Sequence, residues 1–578
     1  MALSKEQWNI EESRLREIFS LITQNITNLE EKVGESISQI RASNKIMWNS
    51  GKSYHYDFDD IVENLSLLDG VYSDMMRHEN ILHQLKKMYL LRKTAYFGRV
   101  DFHEDGIDDT DMVYIGTSTL EGEKSTILIY DWRAAISSMF YECETGRAGF
   151  ESVSGTIEGE ILLKRQYRIF LDKIEAMFDS SIVIDDEILQ AILSESKNSR
   201  MGTIVSSIQK EQNKAIRDEN HRIVFVNGPA GSGKTSIALH RAAWLLYRYR
   251  DKMKAKNIIV YSPNDIFNDY ISDVLPELGE ENMRMSTFMK LAETYLEGKY
   301  RFEDYYNEME GILTGSRAID RDAVREKGSA VFAREIEDYV SRLSTSGFDF
   351  ADISYNGNIL AEHSELETLF YKDYSIHPIA TRLEKIFSFL EKRLVNLTRR
   401  IRKNYVEVAK GDQNEGKKAA YIAKGIIDEV RKISYDMTHP DPFDLYNKFL
   451  AYSEKRKYTS RFRRSMETGH ISYEDLAPVM YLKLLLGYGW DFEEIKHVII
   501  DEVQDYSHIE MLVFFKLFRN IPMTLLGDSN QAINHLTDTN DMNISTAPES
   551  YTVKLEKSYR STRQITRFCI GVIIDTAG

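Results

Sequence analysis

Eight residues constrain this chain more than any others: Gly228-Pro229-Ala230-Gly231-Ser232-Gly233-Lys234-Thr235, which match the pattern GxxxxGK[ST]. The apolar run Ile223-Val224-Phe225-Val226 precedes them, and Ser236-Ile237-Ala238-Leu239-His240-Arg241 follows. The first reads as a buried strand and the second as a helix. Strand, glycine loop and helix in that order bring backbone N–H groups and the positive end of a helix to one point, which suits the phosphates of a nucleoside triphosphate. Gly228, Gly231 and Gly233 are the expected cradle, Lys234 the cation that reaches the β- and γ-phosphates, and Thr235 a ligand of Mg²⁺, with Ser236 a further nucleotide contact at the helix start.

A triphosphate site needs a second group for its metal, at the end of a neighbouring buried strand. His497-Val498-Ile499-Ile500-Asp501-Glu502-Val503-Gln504-Asp505 supplies one, with paired acids where the apolar run ends. Asp501 is expected to hold Mg²⁺, directly or through water, and Glu502 to orient or deprotonate the attacking water. Alone, such a run also fits an ordinary solvated strand end, and the glycine loop upstream is what gives it meaning.

The 578-residue length accommodates roughly four domains at ~150 residues each. Against 90 Asp and Glu stand 74 Lys and Arg, a net charge of −16, so the chain does not coat nucleic acid by bulk positive charge and any basic surface is local. Cys143 and Cys569 form no CxxC pair, which excludes a disulfide framework and a cysteine-based zinc ribbon. No HxxxH or HExxH pair suggests a metal other than that of the nucleotide. With no apolar signal core at the start and no run near the ~20 residues a membrane span needs, a soluble, cytoplasmic protein without membrane contact is expected.

Residues 1–95 read as an antiparallel coiled-coil arm. Trp8, Leu15, Ile18, Ile22, Ile26, Leu29, Val33, Ile37 and Ile40 mark one helical seam, and Leu65, Leu68, Tyr72, Met75, Leu82, Leu85 and Tyr89 a second, returning after Asn49-Ser50-Gly51-Lys52-Ser53. One helix over Lys5 to Met47 extends roughly 65 Å and projects as an arm, although two long helices of an ordinary bundle give the same spacing. Residues 96–200 read as a small β-containing domain with a linker, with strand-like runs at Phe97–Phe102, Met112–Leu120, Ser125–Trp132 and Ile157–Tyr167. Strand and helix patterns alternate over 201–290 and again over 491–555, so the fold expected is an α/β domain with a parallel sheet, interrupted by a mainly helical insertion at 291–490. Residues 556–578 open a second domain.

The form Asp-Glu-x-Gln-Asp resembles that of the UvrD-like superfamily 1 helicases, and other segments are similar to further motifs of that family in the same order. The resemblance identifies the sheet as RecA-like and the nucleotide as ATP. Ile208-Gln209-Lys210-Glu211-Gln212 resembles the Q motif, with Gln212 reading adenine. Ile258–Pro263 resembles motif Ia, and Ser286-Thr287-Phe288 the Thr-Phe motif that grips single-stranded DNA. Leu526-Gly527-Asp528-Ser529-Asn530-Gln531 resembles motif III, with Gln531 sensing the γ-phosphate. Leu555 to Thr562 resembles motif IV, with Tyr559 stacking on adenine and Arg560 as arginine finger.

The first 200 residues resemble the HelD family, motors that bind bacterial RNA polymerase. The resemblance rests on the helical hairpin, Tyr96-Phe97-Gly98-Arg99-Val100-Asp101-Phe102, Ile129-Tyr130-Asp131-Trp132-Arg133-Ala134 and Leu163-Lys164-Arg165-Gln166-Tyr167. It implies that the hairpin enters the secondary channel of polymerase, that the insertion enters the main channel, and that a monomer bound to core polymerase strips nucleic acid from stalled complexes. The alternatives are a 3′–5′ helicase translocating on single-stranded DNA, or a clamp that occludes polymerase without hydrolysis. The sequence ends at Gly578 without counterparts of the family's later motifs, so a truncated motor with incomplete ATP turnover is expected.

Two features could serve such a role. Asp57, Asp59, Asp60 and Glu63 at the hairpin tip would approach polymerase's catalytic Mg²⁺, or simply favour the start of the second helix through its dipole. Arg399-Arg400-Ile401-Arg402-Lys403 and Lys455-Arg456-Lys457 with Arg461, Arg463 and Arg464 are candidate contacts to single-stranded or duplex DNA, with Tyr405, Tyr458 and Phe462 as stackers, or else charged helix faces.

Overall fold

Spacing in threes and fours over the first ninety residues produces two long antiparallel helices, α1 (Lys5–Ser50) and α2 (Phe58–Lys93). The computed structural model describes residues 4–50, 58–122, 126–152, 155–179, 208, 210–229, 231–263, 275–276, 278, 280–297, 299–314, 321–355, 358–408, 413–453, 456–490, 492–528 and 550–555. On α1 the expected stripe is the packing face: Leu15, Ile18, Ile22 and Ile26 are buried, and Leu29 and Val33 half-buried.

On α2 most of the stripe read from the sequence faces outward instead, Leu85 excepted. Tyr72 is 67% exposed, and Leu68, Met75, Leu82 and Tyr89 are exposed too. The inward face carries Val71, Asp74, His78, Ile81, Leu85 and Met88. Two of these are polar because α1 offers them partners: Ser43 Oγ donates to Asp74 Oδ2 at 2.7 Å, and Ser36 Oγ lies 2.7 Å from His78 Nδ1. Counting apolar residues alone therefore selects the wrong side of the helix.

Seven strands follow: β1 (Gly98–Glu104), β2 (Thr110–Gly116), β3 (Leu120–Glu121), β4 (Ile127–Asp131), β5 (Gly146–Ser152), β6 (Gly155–Phe170) and β7 (Lys173–Asp179), with a short helix α3 (Ser138–Glu142) after β4. They form one sheet in the order β3-β4-β2-β1-β6-β5, with β7 also on β6. All neighbours pair antiparallel except β2 and β4, which run parallel. β1 and β6 shift register between Asp101 and Phe102, and beyond that bulge, where Gly159 pairs with Glu104, a Cβ on Gly159 would lie 2.2 Å from His103 O, which only glycine permits.

The N-terminal half of α1 belongs to the core of this sheet, where Leu15, Ile18 and Ile22 pack with Tyr96, Tyr114 and Ile129. The join has a charged centre. Glu11, 1% exposed, accepts from Arg99 Nη1 at 2.7 Å, Arg165 Nη1 at 3.1 Å and Tyr114 Oη at 3.2 Å. Arg99 also forks onto Asp101, and Arg165 onto Asp179.

A second, six-stranded sheet contains β8 (Ile223–Asn227), β9 (Ile258–Tyr261), β10 (Arg284–Ser286), β11 (His497–Ile500), β12 (Met523–Gly527) and β13 (Ser550–Lys554), in the order β10-β9-β11-β12-β8-β13. β11 pairs parallel with β12, and β8 with β13. This is the parallel sheet expected from the alternating pattern, and the RecA-like one that the resemblance implies.

The chain divides into two compact units. One comprises Met1–Ile259, Asn264–Arg284 and Glu549–Gly578, the other Val260–Pro263 and Met285–Pro548. In the second unit, residues 305–485 are mainly helical, with two short strand pairs, Arg301–Phe302 on His470–Ile471 and Ile353–Tyr355 on Asn358–Ala361. Its interior holds Lys327, 1% exposed, bonded to Glu474 and Asp475 at 2.7 and 2.6 Å. Among the described residues no helix is long and apolar enough to cross a membrane.

Replacing Glu11 with Ala takes from Arg99 and Arg165 the buried carboxylate they share and leaves each with its aspartate alone, and removing one partner of a buried charge cluster costs about 3–5 kcal/mol. Denaturant unfolding of Glu11→Ala is expected to show a loss of that order in the first unit, and a change below about 1 kcal/mol contradicts the role given to the cluster.

Candidate functional site

The glycine loop follows directly from β8, whose residues Ile223, Val224 and Val226 are buried. A Cβ on Gly228 would lie 2.7 Å from Leu555 Cβ and 2.8 Å from Ser232 Oγ, so the strand can turn here only with glycine. Gly231 and Gly233 have φ of 74° and 89°, left-handed values that glycine adopts without strain. Gly233 caps helix α5 (Lys234–Arg248), and Ser232 N donates to Pro229 O at 3.1 Å.

Lys234 Nζ donates to Gly228 O at 2.9 Å, folded back over its own loop. The neighbouring Ser232 Oγ is fully buried and has no hydrogen-bond partner among the described residues. An ammonium resting on a neutral carbonyl, an unsatisfied hydroxyl and two left-handed glycines fit a polyphosphate, whose charged oxygens are stronger acceptors than a peptide carbonyl. Thr235 and Ser236 lie half-buried in the first turn of α5.

Gln212 lies beside the same loop. It sits on α4 (Lys210–Arg217), and its Nε2 is 3.9 Å from where a Cβ on Gly233 would be. Behind the loop, His240 of α5 is fully buried, with Nδ1 2.5 Å from Ser236 O and its ring 5.4 Å from that of Trp132. Burial pushes its pKa down to about 4, so the imidazole is neutral at physiological pH.

In the second unit all four residues of β11 are buried, and Asp501, next in sequence, is 1% exposed. Its backbone N donates to Tyr261 O at 2.9 Å, and its Oδ1 accepts from Glu502 N at 2.9 Å. Glu502 is left-handed, with φ 47° and ψ 51°, a conformation unusual outside glycine. Its carboxylate is held: Gln504 Nε2 donates to Glu502 Oε2 at 2.7 Å, while Gln504 Oε1 accepts from Asp528 N at 3.0 Å. Gln504 thus ties Glu502 to the segment Leu526-Gly527-Asp528. Reading the sequence did not assign this bridge, although the glutamine in Asp-Glu-x-Gln-Asp was its signal.

Other expected groups take different places. Thr287 caps helix α6 (Phe288–Tyr295), accepting from Lys290 N at 3.3 Å, and Phe288 is buried against Phe514 at 5.5 Å. Its ring is a core group. Tyr458 and Phe462 are likewise 3% and 1% exposed, with Tyr458 bonded to Glu326 and Phe462 against Tyr446 at 4.8 Å. They line the interior because their helix, Arg456–Thr468, buries its aromatic face and keeps its cations outside, so neither is a stacker. Lys457 pairs with Glu326, and Arg461 lies 3.6 Å from Glu474, while Arg399, Arg400 and Lys403 are exposed. Gln531, Tyr559 and Arg560 lie outside the described residues, as do Lys455 and the side chains of Arg456, Tyr405 and the acidic hairpin tip.

Residues 208–552 match the family model described as the UvrD/REP helicase N-terminal domain, and residues 8–194 match that described as the N-terminal domain of DNA helicase IV HelD. A search among curated proteins gave no match.

Gln504→Ala removes the bridge that holds Glu502. Single-turnover hydrolysis of ATP is expected to slow about tenfold or more while nucleotide affinity stays near that of the wild type, because only the orientation of the Glu502 carboxylate changes. An unchanged rate contradicts the bridge's role.

Proposed function

Because this chain belongs to the UvrD/REP helicase family, as a HelD-like superfamily 1 helicase, we propose that it is an ATP-dependent motor that docks on core RNA polymerase and removes nucleic acid from it, returning the enzyme to transcription. The observation that carries this reading is the loop from Gly228 to Thr235, with Lys234 folded over it and Gln212 beside Gly233. Those features support an adenine nucleotide bound at the start of α5.

In this reading Gly228, Gly231, Gly233 and Ser236 contact the nucleotide, Lys234 neutralises the β- and γ-phosphates, and Thr235 and Asp501 hold Mg²⁺. The metal supplies charge neutralisation to the phosphates. Glu502 orients or deprotonates the attacking water, held in place by Gln504. Gln212 reads the adenine edge and Tyr559 stacks on its face. Gln531 senses the γ-phosphate, and Arg560 stabilises the charge that spreads over its oxygens, a contribution of roughly 10³–10⁵ in rate. The buried Glu11 cluster, which seats α1 in the β-domain, supports a rigid base for the helical arm.

The match of residues 208–552 to a UvrD/REP domain also favours a second reading, a 3′–5′ helicase moving on single-stranded DNA. Purified core polymerase and single-stranded DNA separate the two. The first reading expects a stable complex with polymerase and little stimulation of ATP hydrolysis by DNA, and the second expects the reverse.

Lys234→Ala is expected to bind a fluorescent ATP analogue with Mg²⁺ at least about tenfold more weakly than the wild type, since a charge-assisted contact is lost, and to melt as the wild type does. Equal affinity in the two proteins means that the nucleotide lies elsewhere.

A further inference from the structure

Helix α4, which carries Gln212, is only eight residues long, and a helix of that length does not hold itself in place. Its position is set by what grips it. On one side Arg241 of α5, itself buried, donates to Ala215 O and Ile216 O at 2.7 and 3.2 Å. On the other side the grip comes from the N-terminal domain. Arg217 Nη2 donates to Trp132 O at 2.7 Å, and its Nη1 reaches Arg133 O and Ala134 O at 3.3 and 3.4 Å.

Asn213, the residue next to Gln212, is fully buried, and its Nδ2 donates to Glu142 Oε1 at 2.5 Å. Asn213 and Arg217 are four apart and share one helix face, and Arg217 Nε donates to Asn213 Oδ1 at 3.2 Å. The Trp132–Ala134 turn that receives Arg217 is itself fixed, because Arg133 forks onto Asp131 and reaches Glu280 at 2.5 Å.

We propose that Glu142 of the N-terminal domain is a positioning residue for the nucleotide base: through Asn213 it fixes α4, and with it Gln212, so that the domain carrying the helical arm sets the preference for adenine. The proposal rests on the reading of Gln212 as the base reader. Phosphate binding lies on α5 and its loop, which do not depend on Glu142, so base preference and phosphate affinity separate. By linkage, whatever shifts the N-terminal domain relative to α4 changes adenine affinity, and adenine nucleotides shift that domain by the same factor.

The test measures the affinity of the full chain for ATP, GTP and inorganic tripolyphosphate, by competition against a fluorescent ATP analogue. The wild type is expected to prefer ATP over GTP. Glu142→Ala is expected to lower that preference about tenfold, the effect of misplacing one base-reading hydrogen bond, with tripolyphosphate affinity unchanged. Glu142→Gln keeps the acceptor for Asn213 and is expected to keep the preference. Asn213→Ala is expected to lose as much as Glu142→Ala, and the double variant no more than either.

An unchanged preference in Glu142→Ala overturns the proposal, as does an equal loss for all three ligands, or an equal loss of preference in Glu142→Gln. If Glu142→Ala does not fold, Glu142→Asp, one methylene shorter, reads the same ratio. A wild type that binds ATP and GTP equally overturns the reading of Gln212 as well, whereas a wild type that prefers ATP alongside a Glu142→Ala variant that still does overturns the positioning role alone.

Discussion

A turn that closes only with glycine governs this structure. The strand β8 arrives buried, and at Gly228 any side chain would strike Leu555 and Ser232, while Gly231 and Gly233 adopt left-handed conformations that other residues take at a cost. The turn must then release the chain directly into α5, whose first residue is Lys234. Much of the first unit serves to hold that strand and that helix. β13 pairs with β8 over its whole length, Trp132 packs on His240, and Arg241 fastens α4 to α5.

The N-terminal domain shows the same economy with charge. A carboxylate as buried as Glu11 is tolerable only when its hydrogen-bonding capacity is met, and two arginines and a tyrosine from three different strands meet it. The consequence is specificity of docking: α1 can seat in the sheet in one register, because sliding it by a turn would strand Glu11, Arg99 and Arg165 together. The turn after β4 repeats the device with Asp131, Arg133 and Glu280. One domain is thus fixed to the helical arm by one buried cluster, and a second cluster fixes the turn that receives Arg217 of α4.

Much of this was legible in the sequence. The loop from Gly228 to Thr235 and the strand ending at Asp501 carry their own local signatures, since backbone geometry at glycines and apolar runs ending in acids do not depend on distant residues. The α1 seam was legible for the same reason. The α2 seam was not, because Asp74 and His78 face inward to meet serines of α1, and a polar residue on a packing face has no local mark. β5 mixes glycine and charge with few apolar residues, β7 sets its four apolar residues among charged ones, and pairing with β6 is what makes them strands. Tyr458 and Phe462 misled because a basic helix can turn its aromatic face inward. Gln504 and Glu142 act through partners 24 and 71 residues away, which no spacing rule detects.

The claim on which the account stands is that adenine lies beside α4 while its phosphates lie at the start of α5. Photo-crosslinking with 8-azido-ATP, followed by peptide mapping, tests it most directly. The account predicts label on peptides containing Gln212 or Tyr559, suppressed by excess ATP and Mg²⁺. Label confined to peptides with neither residue, or label that excess ATP leaves in place, contradicts it.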